Sequence, residues 1–65
     1  MDWEGEWKNG QKIYIRFSDK LRQPPEVYLT LRNKSTRVVG WHDLWTPHMS
    51  MGAVVHMIEK FLCRK

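Results

Sequence analysis

Apolar and polar residues alternate with period two in two stretches of this chain. In KIYIRF, residues 12–17, Ile13, Ile15 and Phe17 share one side, and Lys12, Tyr14 and Arg16 the other. In EVYLTLR, residues 26–32, Val27, Leu29 and Leu31 oppose Tyr28, Thr30 and Arg32. Strict alternation sends each class of side chain to one face of a pleated strand, so both stretches predict half-buried strands. Between them, SDKLRQPPE carries Pro24-Pro25, which cannot continue a ladder and predicts a loop. NKS, residues 33–35, predicts a tight turn, and TRVVGW, residues 36–41, a further strand. With Phe17 set opposite Val27, Arg16 would neighbour Tyr28 and Tyr14 would neighbour Thr30.

WEGEWKNGQK, residues 3–12, predicts a hairpin turning at Asn9-Gly10. Two registers compete. A two-residue loop pairs Trp7 with Lys12, puts both tryptophans on the polar face and turns Glu4 and Glu6 toward Ile13 and Ile15. A three-residue loop, Lys8-Asn9-Gly10 with Gly10 left-handed, pairs Trp7 with Gln11 and Gly5 with Ile13. Glu6 then falls opposite Lys12 and Asp2 opposite Arg16. Burying two unpaired carboxylates costs several kcal/mol, and a one-residue slip reverses every side chain. The three-residue register is therefore expected.

After residue 45 the period changes to 3.6. Met51, Val54, Val55, Ile58, Phe61 and Leu62 form one apolar stripe at helical spacing. Thr46 before Pro47 is a start signal, and Ser50 is a second candidate cap four residues later. Lys60, Arg64 and Lys65 complement the dipole at the far end. The expected fold class is α+β: a three- to four-stranded antiparallel sheet with one C-terminal helix packed on one face. The strands are expected at about 3–8, 11–17, 26–33 and 36–42 and the helix at about 47–63, all in one small domain. The helix should lie across Ile13, Ile15, Val27, Leu29 and Leu31, leaving the opposite sheet face open.

Sixty-five residues allow one core, and such a core rarely supplies more than about 3–5 kcal/mol without a staple. Cys63 is the only cysteine, so no internal disulfide forms and a reducing compartment is expected. No apolar run approaches the roughly 20 residues of a membrane span, and the N-terminus lacks a signal-peptide pattern. A cytoplasmic protein, or a nuclear one in a eukaryote, is expected. Eight aromatic side chains can fill a core with little chain, since each buries about 150–250 Å². A homodimer would add further burial.

The net charge of +4 is unevenly spread. Residues 1–7 carry three acids and no Lys or Arg, whereas residues 8–37 carry eight Lys and Arg against two acids. A basic centre suits a polyanion. The open face should show Lys12, Tyr14, Arg16, Tyr28, Thr30 and Arg32. Aromatics interleaved with cations suit unpaired bases and phosphates. The expected nucleic-acid contacts are therefore Lys12, Tyr14, Arg16, Lys20, Arg22, Tyr28, Arg32, Lys34 and Arg37. The acidic first strand should neutralise the side beside Lys12, Tyr14 and Arg16.

GWHDLWTPH, residues 40–48, is the other concentration of reactive types. His42 and Asp43 are adjacent, so in a strand they point to opposite faces, which is poor geometry for an acid–base pair. No nucleophile elbow, paired-histidine zinc motif, phosphate loop or paired-cysteine motif occurs. His56 and Cys63 lie two helical turns apart, about 10 Å along the axis, and cannot share one ion. No catalytic group, metal or cofactor is expected. Trp41 should close the core at a strand end and Trp45 should plug the first helical turn.

The order of strands followed by one helix resembles the single-stranded-DNA-binding PUR domains and the integrase arm-type DNA-binding domains. The likeness lies in element order alone, and no motif residue carries over. The expected function is non-enzymatic binding of DNA or RNA. The alternative is a small protein-binding regulator or inhibitor, of the phage or plasmid accessory type, anchored by Trp3, Trp7, Trp41 or a sheet edge.

Overall fold

Four consecutive antiparallel strands form the sheet, in the order β1-β2-β3-β4. The computed structural model describes residues 1–19 and 22–64. β1 spans Asp2–Glu6, β2 Lys12–Arg16, β3 Glu26–Leu31 and β4 Lys34–Arg37. One helix, α1 at Met51–Cys63, follows. The α+β arrangement is the one that the change of hydrophobic period predicts.

The first hairpin has the register of the three-residue loop: Gly5 pairs with Ile13, Glu6 with Lys12 and Asp2 with Arg16. Its turn differs in detail. Asn9 and Gly10 both have positive φ, 58° and 78°, and Gln11 N–H donates to Lys8 C=O at 3.0 Å. That is a two-residue Asn-Gly turn of the kind hairpins favour. Trp7 N–H nevertheless reaches Gln11 C=O at 2.7 Å. Lys8 is therefore an extra residue, a bulge that shifts the register by one and keeps Glu4 and Glu6 out of the core. Trp3 and Trp7 join the apolar side and pack against the core.

Three expectations are corrected in the rest of the sheet. Tyr14 pairs with Tyr28, and Ile15 rather than Phe17 lies opposite Val27, so the β2–β3 register sits two residues from the expected one. Both registers keep the same faces, and the long proline loop leaves the choice to packing. The third turn is Arg32–Asn33, not residues 33–35, because Leu31 already pairs with Lys34. The fourth strand is KSTR, not TRVVGW. Val38 and Val39 follow it into a loop that turns at Gly40, whose φ is 90°.

The core is Ile13, Ile15 and Val27 from the sheet, Val54, Met57 and Ile58 from α1, and Trp41 from the connection. Trp41 is 1% exposed although it lies outside any strand, and its Nε1 donates to Val38 C=O at 2.8 Å. A buried indole N–H needs such a partner. His42–Leu44 form a short 3-10 turn, and the His42 ring stacks on Trp41 with centroids 4.2 Å apart. The helix starts at the second candidate cap: Ser50 Oγ accepts from Ala53 N–H at 3.2 Å. Thr46 and Pro47 instead begin a separate turn, closed by Met49 N–H to Thr46 C=O at 3.2 Å. Met51 is on the apolar side but overhangs the core in the first turn and stays exposed, while Met57 is buried on the flank of the stripe. Leu31 is also exposed, so the helix covers Ile13, Ile15 and Val27 but not the end of β3.

Candidate nucleic-acid interface

The sheet face turned away from α1 is laid out in rows by the strand registers. One row reads Asp2, Arg16, Glu26; the next Glu4, Tyr14, Tyr28, Arg37; the third Glu6, Lys12, Thr30, Ser35. Tyr14 and Tyr28 are half-buried at the centre, with ring centroids 6.1 Å apart and planes tilted by 35°. Thr30 and Ser35 hydroxyls lie 3.0 Å apart in the third row. An open depression of about 410 Å³ is lined by Glu4, Tyr14, Arg16, Tyr28, Thr30 and Ser35.

The charges on this face are sorted, not mixed. β1 contributes three carboxylates, and Glu26 adds a fourth beside Arg16. Arg16 is thus flanked by acids on both sides. Tyr14 donates its hydroxyl to Asp2 Oδ2 at 2.5 Å. That hydrogen bond raises the Tyr14 pKa above its ordinary 10.0, helped by desolvation and the nearby Asp2 charge, and opposed by Arg16. The acidic half therefore holds the Tyr14 hydroxyl in an internal contact and sets Arg16 between two carboxylate-bearing positions. The other half, Tyr28, Thr30, Ser35 and Arg37, carries no acid, and Lys12 at its border is paired across β1–β2 with Glu6.

That acid-free half runs over the end of the sheet onto the Arg32–Asn33 turn. Arg32 and Lys34 are exposed there and, with Asn9 of the first hairpin, line a further open depression of about 520 Å³. Arg32 has φ 57° at the first turn position, where a two-residue hairpin favours glycine. A non-glycine residue held left-handed costs about 1–2 kcal/mol.

Of the residues expected to contact nucleic acid, Lys12, Tyr28 and Arg37 share the open face and Arg32 adjoins it at the turn, whereas Lys34, paired with Leu31, lies on the side that α1 covers. Tyr14 borders Tyr28. Arg16 is on the same face but among carboxylates. Arg22 sits in the β2–β3 loop at the opposite end of the sheet, away from Arg32 and Lys34. Lys20 lies outside the described residues. The Thr30–Ser35 hydroxyl pair joins the site without having been expected there, because placing the turn at 33–35 removed Ser35 from the strand. Among the described residues, no group of three His, Cys, Asp or Glu is placed to hold a metal ion. Among them also, no helix is long and apolar enough to cross a membrane. Trp41 cannot anchor a partner from its buried position, and Trp3 and Trp7 are half-covered. No family model, curated protein or solved structure matches this chain.

Proposed function

We propose that this protein is a non-enzymatic binder of single-stranded nucleic acid, acting through the acid-free half of its open sheet face. The observation that carries the reading is the tyrosine pair at the centre of that face, with Tyr28 paired to Arg37, Lys12 one row away and Arg32 at the adjoining turn. Tyr28 offers a stacking surface for a base, worth about 1–3 kcal/mol. Lys12, Arg37 and Arg32 take phosphates along a path from the face to the turn. The Thr30 and Ser35 hydroxyls supply donors and acceptors beside the stacked base. The β1 carboxylates repel the backbone and so confine the strand to one side.

Fluorescence anisotropy of a labelled oligothymidine and of a duplex of equal length, at two salt concentrations, tests this. Three phosphate contacts on a single strand give a slope of about −2.1 in log affinity against log salt, or roughly 20-fold between about 50 and about 200 mM. Tyr28→Ala should lower affinity by the stacking contribution without changing that slope. Absence of binding at low salt, or a clear preference for the duplex, would overturn the reading. The alternative, a protein-binding regulator, is favoured instead if a protein partner is recovered stoichiometrically after nuclease treatment.

A further inference from the structure

The two edges of the sheet carry opposite charge. β1, DWEGE, has three acids and no base; β4, KSTR, has two bases and no acid. Both are edge strands. The hydrogen-bond alternation says which residues face outward. Trp7 N–H donates to Gln11 C=O, and Phe17 N–H to Met1 C=O, so the odd-numbered residues of β1 face β2. Asp2, Glu4 and Glu6 therefore turn their backbone groups outward. Val38 N–H donates to Val27 C=O, so Lys34 and Thr36 face β3 while Ser35 and Arg37 turn outward. On β1 all three acids present outward backbone groups; on β4 Arg37 does, while Lys34 is turned to β3.

We infer that these edges pair between copies of the chain, β4 of one copy adding to β1 of the next and extending the antiparallel sheet. Symmetric pairings gain no opposite charge: β1 against β1 sets acids against acids, and β4 against β4 sets Arg37 against Ser35 or another Arg37. Only the head-to-tail pairing matches charge. Every register that pairs outward residues sets Arg37 opposite an acid of the next copy; the one that matches both outward residues of β4 to the inner acids of β1 sets Arg37 opposite Glu4 and Ser35 opposite Glu6. Trp3 of the next copy then falls beside Val38. There a groove of about 320 Å³, with Trp7, Leu29, Val38, Val39 and Leu62 as its apolar lining and Gln11, Thr36 and Arg37 at its polar side, continues the side that α1 covers. Val39 is 62% exposed in the single chain. A head-to-tail contact has no two-fold axis, and with the sheet's twist it builds an open chain rather than a closed dimer. Edge pairing requires no nucleic acid, although Arg37 belongs to both surfaces and the two would compete for it.

Sedimentation velocity over rising protein concentration, without nucleic acid, tests this on the wild type, Arg37→Glu, Glu4→Arg and an equimolar mixture of the two variants. The expected wild-type result is a sedimentation coefficient that climbs without a dimer plateau. Each variant alone should stay monomeric, and the mixture should regain association, because every edge then meets its opposite. Ser35→Pro, which removes an outward N–H but no bond to β3, should also stay monomeric, with folding checked by circular dichroism. A wild type that is monomeric throughout, a plateau at dimer, variants that associate like the wild type, or a mixture that stays monomeric would each overturn the inference.

Discussion

Gly5 is where the first strand depends on a missing side chain. A Cβ placed there would lie 2.4 Å from Trp3 Cη2 and 2.7 Å from Trp3 Cζ2, so the Trp3 ring rests directly on the glycine. Such a ring covers the gap that glycine leaves in a strand. Gly5→Ala must push the ring away. Trp3 is half-buried, and a fully buried aromatic covers about 150–250 Å². At about 25 cal/mol per Å², losing half of that area costs about 2–3 kcal/mol. Alanine also stiffens the unfolded chain, which returns about 0.4–1 kcal/mol. The net expectation is a loss of about 1–2 kcal/mol of stability. Urea denaturation followed by circular dichroism reads it, and a double-mutant cycle isolates the cause. In a Trp3→Ala background the clash is gone, so Gly5→Ala should become neutral or stabilising by up to about 1 kcal/mol. Equal destabilisation in both backgrounds would refute the reasoning, because the cost would then reside in the backbone at Gly5.

Other consequences follow from single contacts. Ser50→Ala removes the hydroxyl that accepts from Ala53 N–H and should cost about 0.5–2 kcal/mol in thermal or urea unfolding. Ile58→Ala empties a position that is 0% exposed between helix and sheet and should cost about 2–5 kcal/mol, enough to leave much of so small a domain unfolded at room temperature by circular dichroism. Asp2→Ala should bring the Tyr14 pKa back down toward 10.0, read by phenolate absorbance during alkaline titration. The sign follows from the raised folded-state value: Tyr14 contributes stability that is complete below about pH 10 and is lost as pH rises through its folded pKa, and Asp2→Ala should abolish that alkaline loss. Arg32→Gly should move stability and binding apart. Relief of the left-handed strain, about 1–2 kcal/mol, outweighs the roughly 0.5–1 kcal/mol entropy cost of glycine, while the salt slope for oligonucleotide binding becomes shallower by about 0.7.

How far the sequence predicts these contacts differs from element to element. The β1–β2 register is legible because the wrong choice would bury Glu4 and Glu6, a penalty large enough to decide between two turns. The β2–β3 register is not, because a two-residue shift leaves every side chain on its own face and the Pro24-Pro25 loop does not set a length. β4 is hidden for a different reason. An exposed, four-residue edge of Lys, Ser, Thr and Arg needs no apolar alternation, and the apolar run beside it, Val38 and Val39, draws the eye although it forms a loop. The helix start turns on two good caps four residues apart, and the one adjoining the core-facing residues prevails. In the candidate interface, the separation of acids from bases follows from these registers. Composition gives the basic surplus, but only the pairing of Tyr14 with Tyr28, and of Tyr28 with Arg37, shows which half of the face is free of carboxylates.

α1 seals one side of the sheet, and in the proposed function the Tyr28–Arg37 half of the other side holds a nucleic-acid strand. Amide and tyrosine-ring NMR shifts during titration with a short oligothymidine at low salt test it most directly. Shifts should concentrate at Lys12, Tyr28, Thr30, Arg32, Ser35 and Arg37, with α1 and the outer edge of β1 unmoved. Shifts centred on α1 or on Asp2–Glu6, or none at saturating oligonucleotide, would contradict it.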